Sequence, residues 1–257
     1  MCGIYGLCSG GAALAPVLEG LSRLEYRGYD SAGVAFFTAQ GAVKTLRTTE
    51  RVERLKQMAA AETDGGTAIA HTRWATHGGV TLQNAHPHTV GRVTLVHNGI
   101  IENYERLRAE LGYAPVSGTD TEIAAALIDS EYGADPVRAL EAAAARLEGS
   151  YALAVIFSDR PGLIYAMRRE SPLALMRTAV FSRPTRQLFP PAGNTMFRKK
   201  ERLQSFPARA CSSLAARRKN GRSAKRSAMR AARGTSIICS RKFSKSLRPF
   251  DARYGAM

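Results

Sequence analysis

The sequence predicts a mixed α+β or layered α/β domain over residues 1–176, and three observations carry that expectation. Strand-like apolar runs alternate with segments whose apolar residues recur at helical spacing. Asn103, Asp120 and Asp135 each stand just before a helix-like segment, where a short polar side chain can accept from the first free amides. The 257-residue chain is 45% hydrophobic, enough to bury a sizeable core.

Residues 4–7 are the first strand-like run. Over 12–24, Leu14, Val17, Leu18, Leu21 and Leu24 fall on one face of a helix. Residues 31–37 and 42–48 read as strands around Gly41, and 52–61 as a helix. Residues 67–71 and 92–97 are strand-like, each ending in a polar block. Helices fit 104–111, 121–132 and 136–147, the last entered through Pro136. Residues 151–158 and 163–167 pair as a hairpin across Asp159-Arg160-Pro161-Gly162.

Charge divides the chain. The net charge of +16, taken alone, suggests a nucleic-acid binder. Residues 1–176, however, hold 16 Lys and Arg against 19 Asp and Glu, a net of −3. Residues 177–257 hold 21 basic residues against Glu201 and Asp251, a net of +19. This tail is dense in Arg, Lys, Ser and Ala, with apolar residues too sparse for either period. Its composition predicts disorder or a nucleic-acid-seeking arm. It carries no reading motif or aromatic stacking pattern, so any nucleic-acid binding is expected to be adventitious.

Cys2, Cys8, Cys211 and Cys239 form no CxxC pair, which indicates neither a disulfide framework nor a zinc site and fits a reducing cytoplasm. No apolar run approaches the roughly 18 to 20 residues that span a bilayer. No basic-then-apolar leader opens the sequence. A cytoplasmic location without membrane partners is expected.

Cys2 follows Met1, and a small second residue permits removal of the methionine. The thiol would then sit beside its own α-amine, with unperturbed pKa values of about 8.5 and about 7.7 to 8. A neutral amine near pH 7 can take the thiol proton, directly or through a water, so nucleophile and base reside in one residue. Taken singly, the other polar positions have plainer readings. Asn98-Gly99 is a turn signal, Asp120 a helix N-cap, Arg73 a surface cation and Cys8 a small core residue. His71, His77, His86, His88 and His97 lack the spacing of a zinc site and read as structural or pocket residues. No GxxxxGK loop is present, so nucleotide binding has no support.

Five blocks change those readings when taken together: CGIYG from Cys2, LEYRGYDSAG at 24–33, HTRWATHG at 71–78, HNGIIENY at 97–104 and SGTDTE at 117–122. In order and spacing they resemble the class II glutamine amidotransferase domain of glutamine–fructose-6-phosphate aminotransferase (glucosamine-6-phosphate synthase), over residues 2–175. The resemblance implies the N-terminal-nucleophile (Ntn) hydrolase fold, a four-layer αββα sandwich, incomplete here at its C-terminal end. It implies that Cys2 attacks the glutamine side-chain amide and that Asn98 and the Gly99 N–H form an oxyanion hole. It places Arg73 on the substrate carboxylate and Asp120 on its ammonium. Arg27 and Gly28 would orient the nucleophile, Trp74 would cover bound glutamine, and Thr76 and His77 would line the pocket. Glutamine is the implied substrate, with glutamate and ammonia as products and no metal or organic cofactor. Fructose 6-phosphate is a substrate, and a homodimer the assembly, only of the full-length family enzyme. Other class II amidotransferases, of the amidophosphoribosyltransferase or asparagine synthetase type, match HTRWATHG and LEYRGYDSAG less well.

The resemblance stops near residue 175, after ESPL at 170–173. Synonymous codons can be chosen so that the frame one base earlier reads EDGGFLSSDATALS over residues 176–190 and HHLLKEIFEEP over 237–247. Both resemble missing family segments in family order. Residues 176–257 are therefore expected to be an out-of-frame tail, without the family's sugar-isomerase domains. The truncated domain is expected to be weakly stable, with open sheet edges.

Overall fold

Strand β2 (Ser31–Thr38) sends Val34 and Phe36 to one side and Ala35 and Phe37 to the other, and all four are buried. A strand buried on both faces must lie between two layers. The computed structural model describes residues 2–9, 11–75, 79–175, 179–181 and 235–241, and the layers can be read from them.

Besides β2, the first sheet holds β1 (Gly3–Cys8), β3 (Val43–Thr48), β4 (Asp64–Arg73), β9 (Ala174–Leu175) and β10 (Ala179–Phe181), in the order β3-β2-β4-β1-β10-β9. The second holds β5 (His88–Val90), β6 (Val93–Ile101), β7 (Gly149–Phe157), β8 (Leu163–Arg169) and β11 (Thr235–Arg241), in the order β11-β8-β7-β6-β5. All pairings are antiparallel.

Helices α1 (Leu14–Ser22) and α2 (Val52–Ala59) cover the first sheet, where Leu14, Val17, Leu21 and Leu55 meet Val34, Phe36, Ala68 and Ala70. Helices α3 (Tyr104–Leu111), α4 (Asp120–Ser130) and α5 (Pro136–Arg146) cover the second, packing on Leu95, Leu153, Val155 and Phe157. Between the sheets Ile4, Ala35, Phe37, Ile69, Val96, Ala154 and Ile156 form a third core. The result is an αββα sandwich with three apolar layers, as the resemblance implies.

The element types agree with the sequence, and α2, α3 and α5 start at the predicted residues, while the capping of the helices differs. Helix α1 begins at Leu14 without a cap of its own. Asp64 on β4 accepts from Ala13 N at 2.7 Å and Leu14 N at 3.1 Å. Leu24 falls beyond α1, before a 3-10 turn at Glu25–Arg27, and Glu25 Oε1 accepts from Val52 N at the start of α2. Asp135 caps α5 as predicted, accepting from Val137 N and Arg138 N. Asn103 holds the N-cap position of α3 as predicted, but its amide bonds Arg146 O and Glu148 N across the domain instead of the helix amides. Asp120 is not the N-cap of α4. Thr119 holds that position, and Asp120 is the first residue of α4.

Two stretches of the basic tail are strands where composition predicts no regular structure. Strand β10 pairs with β1 through Tyr5↔Phe181, and β11 runs along β8 from Thr235↔Arg169 to Arg241↔Leu163. The β8 edge, expected to lie open, is therefore covered.

Candidate active site

Parity along the strands brings three side chains to one end of the inter-sheet layer. Ile4 faces that layer, and Cys2, two residues earlier, falls on the same side just ahead of β1. Ile69 and Val96 face it too, and two residues beyond them stand His71 on β4 and Asn98 on β6. These three meet. Asn98 Nδ2 donates to the Cys2 carbonyl at 3.1 Å, and Asn98 Oδ1 lies 2.9 Å from His71 Nε2.

The thiol is held by the chain leaving β4. Trp74 N donates to Cys2 Sγ at 3.3 Å, and Sγ lies 3.6 Å from the Trp74 carbonyl. That turn is pinned by Asp30, whose Oδ2 accepts from Ala75 N at 2.8 Å and whose N–H donates to Arg73 O. Gly28 packs on it so closely that a Cβ there would lie 2.9 Å from Trp74 N and 2.8 Å from the Arg73 carbonyl carbon.

Opposite charges stand around this point. Arg73 is buried and donates from Nη1 to Gly79 O at 3.1 Å. Burial lowers its pKa, against the opposing influence of Cys2, Asp30 and Asp120, all near enough to favour its charged form. Asp120 Oδ2 accepts from Ile101 N at 2.8 Å, which ties the head of α4 to the end of β6. Asn98-Gly99 is no turn. Both lie within β6, paired with Ala152 and Tyr151 of β7. Gly99 is exposed with φ +133°.

Beneath Asn98 the buried histidines His71, His86, His88 and His97 gather. Ring centroids lie 4.1 Å apart for His71–His86 and 4.9 Å for His86–His88. Burial drives His71 down to about 3 and His88 down to about 4, lowers His97 and takes His86 well below its ordinary value. All four are neutral at pH 7. Among the described residues, no group of three His, Cys, Asp or Glu side chains is placed to hold a metal ion.

Comparison with known proteins adds a name. Residues 73–183 match the glutamine amidotransferase domain family. A glutamine–fructose-6-phosphate aminotransferase (isomerizing) of Legionella pneumophila strain Paris is 49% identical over 182 residues, covering 68% of this chain and 30% of that protein. The same enzyme of Gluconobacter oxydans strain 621H is 46% identical over 181 residues, with the same coverage. The chain carries a class II glutamine amidotransferase domain. It spans about 30% of the length of these curated relatives. Among solved structures, the glutamine phosphoribosylpyrophosphate amidotransferase of B. subtilis superimposes with a TM-score of 0.60 at 22% identity, over 70% of this chain and 42% of that one. That likeness establishes the fold, the αββα sandwich.

Most amidotransferase positions expected from the sequence converge: Cys2, Gly28, Arg73, Trp74, Asn98 and Asp120 are linked by the bonds and fields just described, with Gly99 next to Asn98. Trp74 is 44% exposed and sits edge-on to Tyr29, with centroids 5.6 Å apart, so its indole stands clear at the rim. Arg27 ends the 3-10 turn before Gly28. Thr76 and His77 lie outside the described residues. Sequence reasoning missed Asp30, Asn84 and the supporting role of His71. Asn84 donates to Gly79 O at 3.0 Å and accepts from Gly118 N at 2.9 Å, joining the carbonyl that holds Arg73 to the loop before Asp120. Asp30 and His71 lie inside quoted blocks, which could have flagged them. Nothing in the sequence marks Asn84. Cys8 is a core residue, as read: it is buried and its thiol donates to Gly162 O.

Proposed function

We propose that the domain hydrolyses the side-chain amide of glutamine to glutamate and ammonia, with Cys2 as nucleophile. The observation that carries this reading is the meeting at Cys2 of the Asn98 amide, on its carbonyl, and the Trp74 N–H, on its thiol, with Arg73 in the field of both Cys2 and Asp120. After loss of Met1, the α-amine of Cys2 takes the thiol proton. Sγ then attacks the amide carbon, giving a tetrahedral oxyanion. A primary amide nitrogen has two hydrogens. Asn98 Nδ2 gives one to Cys2 O, and the other, with the Gly99 N–H, serves the oxyanion. The α-ammonium returns its proton to the leaving nitrogen, the C–N bond breaks, and ammonia leaves a γ-glutamyl thioester. Water attacks the thioester, releasing glutamate and regenerating the thiol.

Arg73 suits the substrate carboxylate because a planar guanidinium bonds both oxygens. Asp120, anchored on Ile101 N, suits the ammonium. Gly28 allows the 25–28 loop to press on the turn that orients the thiol, and Arg27 belongs to that loop. Trp74, at the rim, would cover bound glutamine. In the full-length enzyme the ammonia would aminate fructose 6-phosphate, the reaction in the relatives' name. The high identity to those relatives favours this acceptor over that of the phosphoribosyl type. We also propose that residues 2–175 are the catalytic unit, of cytoplasmic location, and that 176–257 arise from another frame. The abrupt change of charge supports this origin, and a coding sequence that no single-base change returns to the family reading would refute it.

The test is glutamate release by the whole chain, processed at Met1. Cys2→Ala, shown to be folded, is expected to abolish it; release at the parental rate would end the proposal.

A further inference from the structure

We infer that His71 is a positioning residue that sets which way the Asn98 amide points, holding its nitrogen toward the nucleophile. This rests on the proposed role of Asn98. Both ends of a primary amide have nearly the same shape, so packing alone selects neither of two orientations related by a half-turn. Only one of them turns a donor toward Cys2. The Cys2 carbonyl, 3.1 Å from Nδ2, can only accept, which favours that orientation. Oδ1 then faces His71 Nε2 at 2.9 Å and, being a carbonyl oxygen, requires a proton on Nε2. His71 is therefore the Nε2–H tautomer. On that tautomer Nδ1 is the bare nitrogen. With the proton on Nε2, the turned amide would set its oxygen against Cys2 O and a second N–H against Nε2–H, losing both bonds.

The ring is itself held in place. It is buried on β4, with the His86 ring against it at 4.1 Å and His86 Nδ1 3.3 Å from Nε2. The bond runs from the first sheet to the second, so it also fixes the Cys2 end of β1 relative to β6 where glutamine would react. His71 touches no reacting atom in this scheme and acts through Asn98.

The test uses the whole, Met1-processed chain with His71→Leu and His71→Gln. Glutamine carries an amide nitrogen close to where Nε2 stood and can donate to Oδ1; leucine cannot. Three quantities are read: kcat and KM for glutamine hydrolysis, and the rate of Cys2 alkylation by iodoacetamide, which needs the thiolate but no oxyanion donor. His71→Leu is expected to lower kcat by about 10- to 100-fold, less than or similar to outright loss of one oxyanion donor. KM and alkylation should each stay within about threefold, and His71→Gln should recover most of kcat. Equal impairment of the two variants, unimpaired His71→Leu, or alkylation falling in step with kcat would overturn the inference. Cys2→Ala run alongside separates the levels: if it hydrolyses like the parent, the functional reading fails; if it is inactive while His71→Leu is not impaired, only the positioning role fails. Imidazole 1H–15N correlation spectra read the tautomer without turnover. A proton on Nε2 is expected, and one on Nδ1 alone would refute the proposal.

Discussion

A Cβ at Gly99 would lie 2.0 Å from Ser150 O, on a backbone at φ +133° that L side chains avoid. The backbone takes this conformation within an unbroken ladder, beside Asn98, and only glycine fits. Gly99→Ala is expected to cost about 2–3 kcal/mol in urea unfolding and to lower glutamine hydrolysis at least about a hundredfold. A variant as stable as the parent would refute the steric reading. This residue was legible in part. The dipeptide signals a special backbone, but residues 98 and 99 alone point to a turn. That they sit in mid-strand follows from their pairing with Ala152 and Tyr151, some fifty residues on, which a local signal cannot carry.

At the scale of elements, helix bodies and strands were legible because their periods are local. Helix caps were less so, because long-range partners replace local ones. Asp64 serves three amides, those of Ala13, Leu14 and Gly66, all within 3.1 Å. Asp64→Ala is expected to destabilise the domain by about 1–2 kcal/mol, the usual range for a lost cap. A urea midpoint unchanged from the parent would show that water replaces the carboxylate. Strands β10 and β11 show the opposite dependence. An edge ladder is built from backbone groups, so an edge can accept a segment whose side chains were never patterned for it. That is why composition could not place Thr235–Arg241 beside β8.

Across the whole molecule, neutral buried histidines make stability depend on pH. Their folded pKa values lie below the unfolded value of about 6.5, with burial the leading cause throughout. The unfolded chain therefore takes up protons first as pH falls. Stability is complete above about 6.5 and declines below it, by up to about 1.4 kcal/mol per pH unit for each histidine, until the folded values near 4 and 3 are passed. Buried Glu122 adds to the loss further into acid. Burial opposes its ionisation, but hydrogen bonds from Ser117, Val116 and Tyr113 prevail and hold it below the ordinary carboxylate range. The urea midpoint is expected to fall steeply between pH 7 and pH 5.5. A flat profile there would mean that these rings are accessible to protons in the folded state.

From residue order alone came the element types, the division of charge, and the positions proposed to carry the chemistry, because apolar period, composition and the quoted blocks are properties of neighbours along the chain. Only the tertiary structure decided that β4 and β6 face each other across the sandwich, so that His71 reaches Asn98 and Asn98 reaches Cys2. Contacts between sheets depend on which faces are turned inward and in what register. That is settled when the layers pack, and no local pattern encodes it.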